Sequence, residues 1–198
     1  DKAYWTIKYG ITEAELLEGN IYPISHYWLN GKLFKVGDKH EDITYAIKTF
    51  DRYKIYRPLQ NKKFKFISNA TSYDLYGYES LPENGDRIII TKSAKDVLVL
   101  KKYDLIAVSS QGEGHKIPDV IISDLKARFK EVVFLYDNDK TGLKNAIELA
   151  KKTHSKFVYI PTFYKTKDVS DLLETYGWAT TYIVLNSIIG LDTSCIKR

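Results

Sequence analysis

Val132-Val133-Phe134-Leu135-Tyr136-Asp137-Asn138-Asp139-Lys140-Thr141-Gly142 is the stretch on which the fold turns. Its first half is an unbroken run of β-branched, aromatic and aliphatic residues, the signature of a strand buried on both faces. The run stops at two aspartates. Beyond Gly142, Leu143, Ala146, Ile147 and Ala150 recur at helical spacing. A buried strand, an acidic turn and an amphipathic helix form one unit of a parallel α/β sheet. A carboxylate at the end of such a strand is costly without a partner, which makes Asp137 a candidate functional residue.

The same alternation extends on either side. Arg87 to Thr91 reads as a strand, and Ala94 to Lys102 as a helix with Ala94, Val97 and Leu98 on one face. Leu105 to Ser110 is a second strand and Pro118 to Phe129 a second helix, both upstream of the Asp137 unit. Lys156 to Ile160 makes a fourth strand, and Val169 to Tyr176 begins another helix. These elements predict an α/β fold with a mostly parallel four-stranded sheet and flanking helices. Residues 1–85 differ, with short aromatic-rich stretches broken at Asn30-Gly31, Gly37-Asp38, Asn61 and Pro82-Glu83-Asn84-Gly85. They predict a smaller α+β subdomain, so the expected division is 1–85, 86–178, and a C-terminal helix (Tyr182 to Ile189) with its tail over 179–198.

Bulk properties narrow the classes. A net charge of +5 is compatible with a polyanionic partner without demanding one. The single Cys195 excludes an internal disulfide and fits a reducing compartment such as the cytoplasm. His26, His40, His115 and His154 have no zinc-ligand spacing with it. No run is long and apolar enough for a membrane span or a signal sequence. The chain contains no methionine, even at position 1, and is read as a piece of a longer protein.

Parallel sheets bind their ligands at the carboxyl ends of the strands. Taken in order, those ends carry Lys92 with Asp96, then Glu113, then Asp137 and Asp139, then Asp168 and Asp171. Carboxylates gathered on one edge repel one another, and bound Mg²⁺ or Mn²⁺ offsets that repulsion through oxygen ligands. Four of them, Asp96, Asp139, Asp168 and Asp171, also have a purely structural reading. Ser93-Ala94-Lys95-Asp96 fits a capping box, Asp168-Val169-Ser170-Asp171 fits a helix cap likewise, and Asp139 stands where an N-cap belongs. Asp137-x-Asp139-x-Thr141-Gly142 with Glu148 in twelfth position also fits a calcium loop, but that loop needs an entering helix where this chain has a strand-like run. Asp-x-Asp-x-Thr after a strand further resembles the nucleophile motif of haloacid-dehalogenase-type phosphatases. In that family the motif ends the first strand, and here it ends the third.

Together, Ile88 to Val97, Phe134 to Gly142 and Lys167 to Leu173 resemble the three motifs of the Toprim domain, in order. This is the metal-binding fold of DnaG-type primases, topoisomerases and some nucleases. Phe64-Lys65-Phe66-Ile67-Ser68-Asn69 and Leu75-Tyr76-Gly77-Tyr78 resemble the segment preceding Toprim in the DnaG-type, especially bacteriophage-type, polymerase domains. The resemblance implies a Toprim-like sheet and RNA primer synthesis on single-stranded DNA from ribonucleoside triphosphates, with Mg²⁺ or Mn²⁺ held by Asp137 and Asp139. Asp168, Asp171 and Asp96 would assist, in a reducing cytoplasm, that of the host if the protein is viral. A replicative helicase or a zinc-binding module is an implied partner outside this stretch, since no Gly-x-x-x-x-Gly-Lys-Ser/Thr occurs. One position departs from the family: Lys92 stands where the catalytic glutamate is usual. Glu113 then restores the missing carboxylate while Lys92 contacts a triphosphate, or one metal site is lost. A strand-end position implies that Lys92 is solvated and charged.

Between Thr44 and Asn69, Lys48, Arg52, Lys54, Arg57, Lys62, Lys63 and Lys65 face Asp51 alone, with Tyr45, Phe50, Tyr53, Tyr56, Phe64 and Phe66 interleaved. Basic groups follow phosphates and aromatics stack bases in sequence-tolerant single-strand binding. The charges are therefore assigned to nucleic acid, with Lys54, Arg57, Lys63 and Lys65 as contacts, and the aromatics to half-buried strands. Three rival functions use the same residues: a Toprim nuclease, a phosphatase with Asp137 as nucleophile, and a degenerate module that only binds nucleic acid or a replication partner.

Overall fold

The structure, a computed structural model, describes residues 2–37, 42–112 and 116–190. Helices α1 (Lys2–Tyr9) and α2 (Glu13–Glu18) lead into strand β1 (Ile21–Pro23), a hairpin of β2 (His26–Leu29) and β3 (Lys32–Lys35), and strands β4 (Tyr45–Thr49), β5 (Arg52–Tyr56) and β6 (Phe66–Ser68). Strands β1, β4, β5 and β6 form an antiparallel sheet in that order. There follow β7 (Gly85–Thr91), α3 (Ala94–Lys101), β8 (Ala107–Ser109), α4 (Asp119–Arg128), β9 (Phe129–Leu135), α5 (Lys140–Thr153), β10 (Lys156–Val158) and α6 (Val169–Ile189). Strands β7 to β10 make a four-stranded parallel sheet in the order β10-β9-β7-β8.

Side-chain alternation along the strands builds the layers. Ile88 and Ile90 of β7 and Val132 and Phe134 of β9 meet Ile122 and Leu125 of α4 and Ala146 and Ala150 of α5. Ile89, Val133 and Leu135 point the other way, toward Val97 and Leu100 of α3 and Leu172 and Leu185 of α6. A strand with both faces covered needs apolar residues at every position, which is the pattern of the two runs. The second layer also takes in Trp5, Tyr9, Ile21 and Tyr45, so the antiparallel sheet and the parallel sheet share one core.

The two segments expected as separate helices, from Val169 and from Tyr182, adjoin in α6 and are divided at Gly177, whose φ of 74° is not helical. The hairpin has its aromatic side chains largely in solvent, with Trp28 63% exposed. Among the six aromatics assigned to half-buried strands, only Tyr45 and Tyr56 are in the core, while Phe50, Tyr53, Phe64 and Phe66 are exposed. No described helix is long and apolar enough to cross a membrane.

The seam between α3 and α6 is closed by Asp96, whose side chain is buried. One carboxylate oxygen accepts from the Ser93 hydroxyl at 2.6 Å and the Thr91 hydroxyl at 3.4 Å. The other accepts from the Ser170 backbone N–H at 3.2 Å and from the Ser170 hydroxyl. Replacing Asp96 by Ala leaves the buried Ser170 donors without an acceptor, a loss of about 3 kcal/mol. The expected result is a melting temperature lower by roughly 6–12 °C in calorimetry. Asp96→Asn, which keeps one acceptor, should lose less, and an unchanged melting temperature for Asp96→Ala would contradict this role.

Candidate active site

The strand order singles out one place on the carboxyl edge. From β7 the chain crosses through α3 to β8 on one side, and from β9 it crosses through α5 to β10 on the other. Connections that leave neighbouring strands in opposite directions open a crevice between their carboxyl ends. On the β7 side that crevice is bordered by Thr91 and Lys92, and on the β9 side by Tyr136, Asp137 and Asp139.

Each acidic side chain on the β9 side is held by local structure. Asp139 caps α5, one oxygen accepting from the Gly142 N–H at 2.7 Å. Gly142 is required by close approach, because a Cβ there would overlap the Asp137 carbonyl. Asn138 fixes the turn from the opposite direction. Its N–H donates to the Lys167 carbonyl at 2.6 Å and its side-chain amide to the Ile160 carbonyl at 2.7 Å. The loop that precedes α6 is thereby drawn against the end of β9. Asp137 is partly buried at the end of this clamp.

Lys92 departs from the expectation of a solvated lysine. It is only 8% exposed, with its ammonium 5.5 Å from the centre of the Tyr136 ring. Asp96 is the reverse case. Both of its oxygens are occupied by the donors that join α3 to α6, so it is a structural carboxylate and not a free metal ligand. Asp168 caps α6, accepting from the Asp171 N–H at 2.7 Å. Its remaining oxygen lies 3.8 Å from the Lys95 ammonium, which is also 3.7 Å from Asp171. Burial, and then the charge of Asp96, raise the Asp168 carboxyl to about 8 against the pull of Lys95. Glu113 lies outside the described residues. Among the described residues no three Asp, Glu, His or Cys side chains gather as a metal cage.

Sequence reasoning quoted Asn138, Lys95 and Ser170 but gave them no role. Lys95 had a signal: it is the one cation beside Asp96 in a segment otherwise read for its carboxylate. Ser170 had none, because its partner is seventy-four positions away. A cavity of about 470 Å³ between Gly19, Lys48, Tyr76 and Leu105 opens at the opposite end of β8 and contains none of the candidate residues.

The basic antiparallel sheet borders the same edge. The Lys54 ammonium donates to the Gln111 carbonyl, just beyond β8, at 2.7 Å and sits 4.6 Å from the centre of the Phe66 ring. Lys54 is thus spent on joining the two sheets. The Tyr56 phenol is pushed up by burial and Tyr4, and the charge of Asp168 adds to the shift. Arg57 directly follows β5, and its N–H donates to the Lys65 carbonyl at 2.9 Å. The Lys65 ammonium lies 5.9 Å from the Tyr56 ring, and exposed Lys63 lies 5.5 Å from Phe64. Arg57, Lys63 and Lys65 therefore cluster at the end of the sheet that carries Tyr56 and Phe66.

The fold is that of DnaG-type primase catalytic cores. Over 88% of this chain and 69% of the other, it superposes on the primase fragment of the bacteriophage T7 primase-helicase protein with TM-score 0.63 and 18% identity. The DnaG catalytic core matches with TM-score 0.67 and 17% identity over 93% of this chain and 72% of the other. The DnaG primase catalytic domain bound to single-stranded DNA matches with TM-score 0.58 and 16% identity over 94% of this chain and 64% of the other. No family model matches the chain, and no curated protein matches it in sequence.

Burial lowers the Lys54 ammonium from 10.5 to about 8. Below pH 8 the folded protein carries the charged lysine at full cost. Between pH 8 and 10.5 the folded lysine gives up its proton before the unfolded one does, so this contribution to stability rises with pH. Lys54→Met removes the effect. The gap in unfolding free energy between the variant and the parent should change by up to about 3 kcal/mol across that window in denaturant titrations. Parallel pH profiles would contradict the burial.

Proposed function

We propose that this chain is the catalytic core of a DNA primase, making short RNA primers on single-stranded DNA by metal-dependent nucleotidyl transfer. The observation that carries the reading is the pairing of Asp137 and Asp139 beside the switch-point crevice with a basic sheet bonded to the same edge through Lys54 and Gln111. The fold shared with primase cores supports it.

The donor set fits Mg²⁺ or Mn²⁺. Two carboxylates on an open edge, without a protein cage among the described residues, suit an ion that keeps several waters and leans on substrate phosphates. Asp137 and Asp139 would hold it, with Glu113, downstream of β8 in the sequence, as a further carboxylate. Such an ion, when bound, supplies charge neutralisation for the triphosphate and activation of the attacking 3′-hydroxyl. Lys92, held over Tyr136 across the crevice, attracts the phosphates of the incoming ribonucleotide. Arg57, Lys63 and Lys65 follow the template backbone, while exposed Tyr53, Phe64 and Phe66 offer ring faces to its bases. The neighbour from bacteriophage T7 is a fragment of a primase-helicase protein, so a replicative helicase fits as a partner, with a zinc-binding module for template choice.

The test uses the unmodified chain and Asp137→Asn with labelled single-stranded DNA, four ribonucleotides and Mg²⁺ or Mn²⁺. A second template carries a preformed RNA primer, so that a missing initiation module does not mask elongation. The expected outcome is ribonucleotide addition by the unmodified chain, reduced by at least roughly a hundredfold in Asp137→Asn. A shortened template that disappears in the same variant would replace this reading with a nuclease. An untouched primer and an intact template would leave only a nucleic-acid-binding module.

A further inference from the structure

The turn from β7 into α3 brings a second lysine to the acidic edge. Lys95 lies in the first turn of α3, and its side chain is 17% exposed. The ammonium stands 3.8 Å from Asp168 and 3.7 Å from Asp171, with the Tyr9 ring centre 5.0 Å away. Its position is not adjustable by a simple swing of the helix, because Asp96, the next residue, is bonded to Ser170 of α6. The same bond sets where Asp168 and Asp171 stand.

The charges around this point can be assigned one by one. Asp96 is compensated by the Thr91, Ser93 and Ser170 hydroxyls and the Ser170 N–H. The amino ends of α3 and α6 converge there and favour negative charge. Asp168 and Asp171 are left, and Lys95 is the cation that faces both. Burial alone would lower the Lys95 ammonium, but Asp168, Asp96 and Asp171 together hold it above its usual value. At these distances the ammonium is ion-paired with both carboxylates. A divalent ion ligated by both aspartates would bond their oxygens at roughly 2.0–2.6 Å. It would then stand a few ångströms from an ammonium already within 4 Å of the same oxygens, and like charges at that range in a partly buried site repel strongly.

We infer that Lys95 is a built-in cation, ion-paired with Asp168 and Asp171 where a second metal would otherwise stand, so that the edge takes a single divalent ion at Asp137 and Asp139. The inference deepens the primase reading and rests on its metal site. Lys95 acts through charge and is a positioning residue. It also accounts for Lys92, since an edge that loads one ion has less need of the carboxylate that Lys92 replaces.

The experiment counts bound Mn²⁺ by the loss of the free-ion electron paramagnetic resonance signal at pH 8, without nucleotide or DNA. It compares the unmodified chain, Lys95→Met, Lys95→Arg, Asp168→Asn and Asp137→Asn, each checked by circular dichroism for its fold. The unmodified chain and Lys95→Arg should bind one ion, and Lys95→Met should gain a second. Asp168→Asn should keep the single ion with affinity within about threefold, a change of roughly 0.7 kcal/mol. Two ions in the unmodified chain, or loss of the ion in Asp168→Asn, would overturn the inference. So would a folded Lys95→Met that still binds one. An ion retained by Asp137→Asn would instead strike the primase reading's metal site, and no ion in the unmodified chain would remove both.

Discussion

The buried carboxylate of Asp96 is the contact from which the geometry of the edge follows. It collects donors from the end of β7, the cap of α3 and the first turn of α6, and ties the three segments together at that point. An ionised group without those donors would be expelled from the core or protonated. With them it becomes a fixed negative charge between two helix amino ends. Lys95 beside it in sequence and Asp168 near Ser170 inherit their positions. Its charge also acts at a distance, because repulsion from Asp96 adds to burial in raising Asp168. A side chain saturated by protein donors thus sets both the placement and the electrostatics of its neighbours.

A second dependence ties the basic half to the acidic half. Trp5, Tyr9 and Tyr45 are part of the same buried cluster as Val133 and Leu172, so the antiparallel sheet is packed on the parallel one and not tethered by a linker. Lys54 reinforces this at the rim through Gln111. On the proposed primase reading, a template-binding surface joined in this way would keep a fixed distance to Asp137, which a polymerase needs if base pairing is to be registered against the reacting phosphate. Flexible attachment would forfeit that registration.

Much of the parallel sheet was legible because its rules are local. Apolar runs such as Val132 to Leu135 and helical spacing such as Leu143, Ala146 and Ala150 carry the period of each element within a few residues. The acidic turn after β9 was legible for the same reason. Strand order was not, since nothing within β8 says which side of β7 it joins. Nor could spacing divide the carboxylates. Ser93-x-x-Asp96 and Asp168-x-x-Asp171 look alike as sequences, yet one is saturated by Ser170 and the other faces Lys95. Exposure of aromatics failed as well: Tyr56 and Phe66 pair across neighbouring strands and stack at 5.1 Å, yet one is buried and the other is 47% exposed. Those outcomes are decided by distant segments.

The crevice itself is electrically lopsided. Its β7 side presents a lysine and its β9 side two aspartates, where the family pattern has carboxylates on both. A nucleoside triphosphate with its divalent ion is itself a dipolar complex, a dication bound to a polyanion. An all-acidic crevice attracts only the metal end and repels the phosphates that the metal leaves uncovered. Lys92 is only 8% exposed, with its ammonium 5.5 Å from the centre of the Tyr136 ring. On the proposed primase reading, such a crevice would favour one orientation of the complex, metal toward Asp137 and phosphates toward Lys92. In this arrangement the exchange of glutamate for lysine does not empty the site. On the same reading, part of the work of holding the triphosphate would pass from a second ion to Lys92.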